Sequence, residues 1–227
     1  MNEQLVFDLP HRAALDAGDF LLAACNRDAV AWLDRWPEWP APLLTVHGPA
    51  GSGKTHMAFV WRARNGARLM HPEEIAAQPF SAFDDGDRNW IVDDVAAGFD
   101  EEAFLHFYNA VAERGGSILL TARTPPSRWP IALADLRSRL TAAPAVAIGR
   151  PDNELLGAVL VKLLGDRQLT VGPDVLIYLL ARMERSFSAA RNVVAALDRR
   201  ALAERRKLSI PLARDVLTEL NDGRNGA

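Results

Sequence analysis

The run Gly48-Pro49-Ala50-Gly51-Ser52-Gly53-Lys54-Thr55 constrains this chain more than any other segment. Three glycines in eight residues disfavour a regular helix or strand, because glycine loses more backbone freedom on ordering than any other residue. The run nonetheless joins two regular-looking stretches, the apolar Leu43-Leu44-Thr45-Val46 and the helix-forming His56–Arg64. It fits G-x-x-x-x-G-K-[ST], a loop whose glycines let backbone N–H groups turn toward phosphate oxygens. Lys54 brings a compact positive charge to the β- and γ-phosphates, and the Thr55 hydroxyl can ligate Mg²⁺. A strand, this loop and then a helix make an α/β unit that holds a nucleotide, ADP or ATP, with Mg²⁺.

Three more short apolar runs follow: Trp90-Ile91-Val92, Ser117-Ile118-Leu119-Leu120-Thr121 and Ala145-Val146-Ala147-Ile148. Such runs, spaced by helical stretches, predict a parallel sheet with helices on both faces. After Arg150-Pro151 the strands stop. Leu155, Leu156, Val159, Leu160, Leu163 and Leu164 recur at helical spacing up to Gly165, which reads as a C-cap. Further helices are expected around Val175–Leu180, around Val193–Ala201 and from Ser209, with Pro211 in a first turn. The expected organisation is an arm over 1–18, an α/β nucleotide-binding domain over 19–150 and a small all-helical domain over 151–227.

Composition narrows the class. Hydrophobic residues make up 49% and charged residues 24%, enough apolar material for a core. A net charge of −3 argues against coating nucleic acid by bulk electrostatics. With no run of 18 apolar residues, no basic-apolar leader and the single cysteine Cys25, the expected setting is the cytoplasm, without a membrane. His11, His47, His56, His71 and His106 lack metal-ligand spacing, and Trp36 and Trp39 read as packing anchors.

A phosphate loop needs an acidic partner at a neighbouring strand end. Asp93 and Asp94, directly after Trp90-Ile91-Val92, supply it: Asp93 on the metal side, Asp94 to orient the attacking water. Arg139, in Asp135-Leu136-Arg137-Ser138-Arg139-Leu140, has two readings, a surface ion pair or a finger reaching the γ-phosphate of a neighbouring subunit. Arg191 also has two. If Ser188 caps its helix, Arg191 lies in a first turn where the dipole disfavours a cation, so it serves a phosphate or is simply solvated.

Together these features resemble the AAA+ ATPases, and within them the DnaA branch. Asp19-Phe20-Leu21-Leu22 followed by Asn26 resembles that branch's segment beside the adenine, which implies nucleotide contacts for Leu21 and Leu22. Leu120-Thr121-Ala122-Arg123-Thr124-Pro125-Pro126 resembles its sensor-1 strand and double proline. Leu136–Leu140 resembles the finger motif, and Arg191-Asn192-Val193 the sensor-2 helix of the lid, which implies a finger role for Arg139 and a nucleotide role for Arg191. At sensor 1 the branch usually carries aspartate where this chain has Arg123. An arginine can neither accept a proton nor ligate Mg²⁺, so at most weak ATP hydrolysis is expected of this chain itself.

DnaA initiators continue into a basic helix-turn-helix domain, for which no stretch is found before Ala227. At the other end Gln4-Leu5-Val6-Phe7-Asp8-Leu9-Pro10 resembles a peptide for the polymerase sliding clamp, with Gln4 as polar anchor and Leu5, Phe7 and Leu9 for an apolar pocket. Read without the resemblance, such an arm either seeks a groove or folds back on its own domain. The combination is similar to the Hda family of regulatory inactivators of DnaA. It implies the clamp and DnaA as partners, DNA met through the clamp, and a possible homodimer or oligomer. The function implied is stimulated hydrolysis of DnaA-bound ATP. The alternative is a stand-alone AAA+ ATPase or helicase loader acting on DNA.

Overall fold

A computed structural model describes residues 21–77, 88–95, 99–204 and 206–225, with side chains described to Asp222. The chain divides into two compact units, with the boundary in the sequence between Gly149 and Arg150.

The first unit is a parallel sheet of five strands: β1 (Leu43–His47), β2 (Arg68–Met70), β3 (Asn89–Val95), β4 (Ser117–Ala122) and β5 (Ala145–Ala147). Their spatial order is β2-β3-β4-β1-β5, with every pair parallel. The four apolar runs in the sequence become β1, β3, β4 and β5. β2 has no such run, since only Leu69 and Met70 are apolar; it is a strand because β3 offers it an edge.

Strand side chains alternate between faces, so each apolar run is shared between two cores. Leu43, Trp90, Val92, Ile118 and Leu120 face one layer. There they meet α3 (Pro72–Ala77), α4 (Glu101–Glu113) and α5 (Ala134–Ala142), chiefly through Ile75, Phe104, Phe107, Leu136 and Leu140. Leu44, Val46, Ile91 and Leu119 face the other layer. That layer is closed by α1 (Arg27–Asp34) and α2 (Lys54–Asn65), with Val30, Leu33, Met57 and Trp61 inward. Trp39 belongs to this second core, stacked on Trp61 at 5.4 Å, and Trp36 meets Trp61 edge-on at 6.0 Å. Because both faces are covered, every side chain of β4 is buried.

The second unit holds α6 (Asn153–Gly165), α7 (Pro173–Arg182), α8 (Phe187–Glu204) and α9 (Ile210–Asn225). Leu156, Leu160, Leu179, Val194, Leu197 and Leu212 form its core. Asp152 caps α6 by accepting the N–H of Leu155 at 2.8 Å. Two local expectations are corrected here. Gly165 is the last residue of α6 and no left-handed cap; Asp166 follows as a right-handed C-cap, and the chain turns at Gln168 with φ of 58°. Nor does Ser188 cap α8. The buried Ser186 does so, its Oγ accepting the N–H of Ala189 at 3.1 Å, because Phe187 is already helical. Among the described residues no helix is long and apolar enough to cross a membrane.

Candidate nucleotide site

The loop 48–53 leaves β1 at the sheet edge where β1, β4 and β5 end together. Ala122 of β4 lies opposite His47, and Ala147 of β5 lies opposite it on the other side. The first step out of β1 is crowded. Gly48 donates its N–H to the Ala122 carbonyl at 3.1 Å, and a Cβ on Gly48 would lie 2.2 Å from the Ile148 carbonyl oxygen. Gly51 and Gly53 have φ of 71° and 98°, the left-handed region that a side chain resists.

Gly53 is also the residue before α2, and it offers no side-chain cap. The N–H groups of the first turn therefore remain turned into the loop. No acidic residue occupies that turn, so its partial positive charge stays available to an anion. Lys54 is buried in the cradle, its Nζ donating to the carbonyls of Gly48 and Pro49, each at 2.9 Å. Burial pushes its pKa down, and Arg123 adds to that, while Asp94 and Asp93 oppose it. Ser52 Oγ is buried with no hydrogen-bond partner among the described residues.

The acidic side is built from β3 and β4. The Thr55 hydroxyl donates to the Asp93 carboxylate, with oxygens 3.1 and 3.2 Å away. The Thr121 hydroxyl also donates to Asp93, and it accepts the N–H of Asp94 at 2.8 Å. The β3–β4 register shifts between Val92 and Val95, and Asp94 takes φ of 54°. Asp94 is thereby turned out of the strand and exposed, next to Arg123, whose Nε lies 4.0 Å from its Oδ1. Thr55 and Asp93 fit Mg²⁺: one hydroxyl and one carboxylate already converge, hard oxygen donors of the kind that ion takes alongside phosphate oxygens and water. Among the described residues no cluster of three His, Cys, Asp or Glu suited to a metal occurs.

A third wall comes from residues 21–26. Asn26 is buried at 4% exposure; its side chain accepts the N–H of Ala23 and donates to the Leu21 carbonyl, both at 2.9 Å. Gly149 then donates to the Cys25 carbonyl at 2.8 Å and Ile148 to His47 at 2.7 Å. These bonds tie the segment to the end of β5, beside the crowded start of the loop. The half-buried Leu22 packs on the core layer behind α2. His47 has its pKa lowered, first by burial and then by the charges of Arg128 and Lys54.

Of the residues singled out in the sequence, Gly48–Thr55, Asp93, Asp94 and the Leu21–Leu22 segment are brought to this one sheet edge. Arg139 is not bonded to it. It sits on α5, paired with Asp135 at 3.0 and 3.3 Å and placed over the Tyr108 ring at 5.4 Å, with its side chain 37% exposed. Arg191 belongs to the second unit, exposed on α8; with Ser186 as cap it falls in the second turn, not the first. Gln4, Leu5, Phe7 and Leu9 lie outside the described residues. Sequence reasoning gave no site role to Thr121, Asn26, Ile148 or Arg128, although the first three stand in segments it singled out. Only the hydroxyl in an apolar strand and the asparagine before a helix were visible hints.

Residues 157–217 match the family model of the Hda lid domain. The chain is similar to domain III of the Thermotoga maritima replication initiation protein DnaA, at 16% identity over 92% of this chain and 98% of that one, with a TM-score of 0.74. It is also similar to AMPPCP-bound DnaA from Aquifex aeolicus, at 19% identity over 83% and 68% of the two chains and a TM-score of 0.63. A more distant likeness is to the RuvB Holliday junction branch migration motor of Thermotoga maritima, at 14% identity over 79% and 61% and a TM-score of 0.60. These likenesses show the fold they share, a parallel sheet with helices on both faces followed by a helical unit, and within that helical unit residues 157–217 are similar to the Hda lid domain.

Proposed function

We propose that this protein regulates the initiation of DNA replication by stimulating hydrolysis of ATP bound to DnaA while it is itself attached to the sliding clamp. The observation that supports this reading most is the Hda-type lid, residues 157–217, on a chain with the DnaA fold. Gly48–Thr55 hold the phosphates of ADP or ATP, Thr55 and Asp93 take Mg²⁺, Leu21 and Leu22 flank the base, and Arg191 couples the lid to the phosphate state. Bound Mg²⁺ would neutralise charge on the phosphates.

Arg139 acts outside this site, on the nucleotide of DnaA. It is already ordered by Asp135 and Tyr108, and part of the guanidinium stays open to a partner. There it stabilises charge developing on the γ-phosphate, a role worth about 10³–10⁵ in rate where it operates. Gln4, Leu5, Phe7 and Leu9 attach the protein to the clamp, and so to DNA, and the work is done in the cytoplasm.

The test is turnover of ATP pre-bound to DnaA, with clamp-loaded DNA, with and without this protein. Acceleration that requires the clamp and is lost when Gln4 and Leu5 become alanine supports the reading. Arg139→Ala should keep nucleotide and clamp binding yet lose at least 10²-fold of the stimulation, being a half-buried helix position outside the apolar core. No acceleration by a folded, nucleotide-competent protein refutes the reading and favours a stand-alone ATPase or helicase loader.

A further inference from the structure

We propose that Arg123 is a positioning residue that keeps Asp94 from orienting water, so that the site retains a nucleoside triphosphate instead of hydrolysing it. This rests on the reading that the phosphate loop binds a nucleotide. It assigns a cause to the weak turnover expected of this chain and a residue whose replacement relieves it.

The argument begins with strand register. Gly48 and Arg123 leave adjacent strands at one level, because Ala122 sits opposite His47 and its carbonyl accepts the N–H of Gly48. Arg123 thus stands beside the phosphate loop. From the other side, the register shift in β3 and the bond from Asp94 N–H to Thr121 Oγ1 turn Asp94 toward it. The Lys54 ammonium is influenced by Asp93, Asp94 and Arg123 together, so the four charges form one cluster.

The two carboxylates differ in what engages them. Asp93 accepts from two hydroxyls, Thr55 and Thr121. Among the described residues the Asp94 carboxylate forms one ion pair within 4.0 Å, with Arg123. Asp94 is therefore the carboxylate with lone pairs to spare for a water. At 4.0 Å the Arg123 guanidinium makes no hydrogen bond to Asp94, but its charge draws that carboxylate, and with five donors and no acceptor it offers an attacking water nothing in return.

In the step held back, the water oxygen bonds to the γ-phosphorus while the bond from that phosphorus to the β–γ bridging oxygen breaks. ADP leaves with the bridging oxygen and the electron pair, and one water proton passes by way of Asp94 to inorganic phosphate. The side chains of Arg123 and Asp94 are 71% and 64% exposed, so the restraint is that of a solvent-screened pair. Its removal is worth about two- to fivefold in rate, the upper part of the range for exposed ion pairs.

The test uses the full chain with Mg²⁺ and γ-labelled ATP, reading both equilibrium affinity and single-turnover hydrolysis. Wild type should bind ATP and convert it slowly. Arg123→Asn should convert it about two- to fivefold faster, and the gain should vanish in the Arg123→Asn/Asp94→Asn double variant. Affinity gives a readout independent of turnover. With Asp94→Asn the arginine is released toward the terminal phosphate, so Arg123→Asn should cost at least threefold more ATP affinity there than beside Asp94. Hydrolysis unchanged in a well-bound Arg123→Asn, or affinities that simply multiply, overturns this inference alone. Wild type unable to bind Mg-ATP overturns the nucleotide reading with it.

Discussion

Replacing Thr121 by valine isolates the hydrogen bonds that hold the acidic side of the site. Thr121 is 1% exposed near the end of the buried strand β4, and its hydroxyl serves two groups at once, donating to Asp93 and accepting from Asp94 N–H at 2.8 Å. Valine keeps the shape and deletes both bonds. Losing a bond to a charged group costs about 1.5–3 kcal/mol, and leaving a partly buried N–H unpaired about 1–3 kcal/mol. Asp93 keeps Thr55, and the added methyl contributes about 1 kcal/mol in return. The net loss should be about 2–4 kcal/mol. At about 2–4 °C per kcal/mol for a chain of this size, the melting temperature falls by about 5–15 °C.

Thr121→Ser is the control, since it keeps the hydroxyl and loses one methyl, about 1 kcal/mol. Calorimetry on the two variants, with Mg-ATP titrations on each, reads both consequences. Valine should melt well below serine and bind Mg-ATP more weakly, because Asp93 and Asp94 lose the group that sets them. A valine variant melting within about 2 °C of the serine variant would refute the claim that this hydroxyl organises the site.

Gly48→Ala should lower ATP affinity at least tenfold in equilibrium titrations, because the added Cβ would lie 2.2 Å from the Ile148 carbonyl and the loop must shift to clear it. Ser186→Ala should destabilise the lid by about 0.5–2 kcal/mol in denaturant unfolding, whereas Ser188→Ala should stay within about 0.5 kcal/mol, because the cap bond belongs to Ser186. His47 has a lowered pKa in the folded protein, so the unfolded chain binds the extra proton first. Its contribution to stability is complete above the unfolded value of about 6.5 and is lost as pH falls below it. Unfolding followed from pH 7.5 to 5 should show this loss in wild type and a flatter profile in His47→Gln, and equal profiles would contradict the assignment.

Much of the fold can be read along the chain because its signals are local. Leu43–Val46, Trp90–Val92, Ser117–Thr121 and Ala145–Ile148 are apolar runs too short for buried helices, and each becomes a strand of a sheet covered on both faces. The lid helices announce themselves by period, and the phosphate loop by three glycines whose positions match what its backbone requires. Where the local signal was weak or doubled, the reading went astray. Arg68–Met70 has only two apolar residues and is a strand by virtue of its neighbour β3. Two serines stand two residues apart before Arg191, and only the helix start at Phe187 selects Ser186 as the cap.

By itself the sequence determined that a phosphate loop follows a buried strand, that two carboxylates lie at the end of another strand, and that a helical unit comes after the sheet. Each of these is a pattern in contiguous residues whose physical cause acts over one loop or one element. The order β2-β3-β4-β1-β5, the slip in β3 that turns Asp94 toward Arg123, and the double duty of Thr121 were decided only in three dimensions. Thr121 reaches carboxylate and amide 28 and 27 residues away, and the Cys25 carbonyl fastens its segment beside a strand end more than a hundred residues later. Such bonds depend on which strands become neighbours and in what register, and that follows from packing both faces of the sheet together rather than from any one stretch of chain.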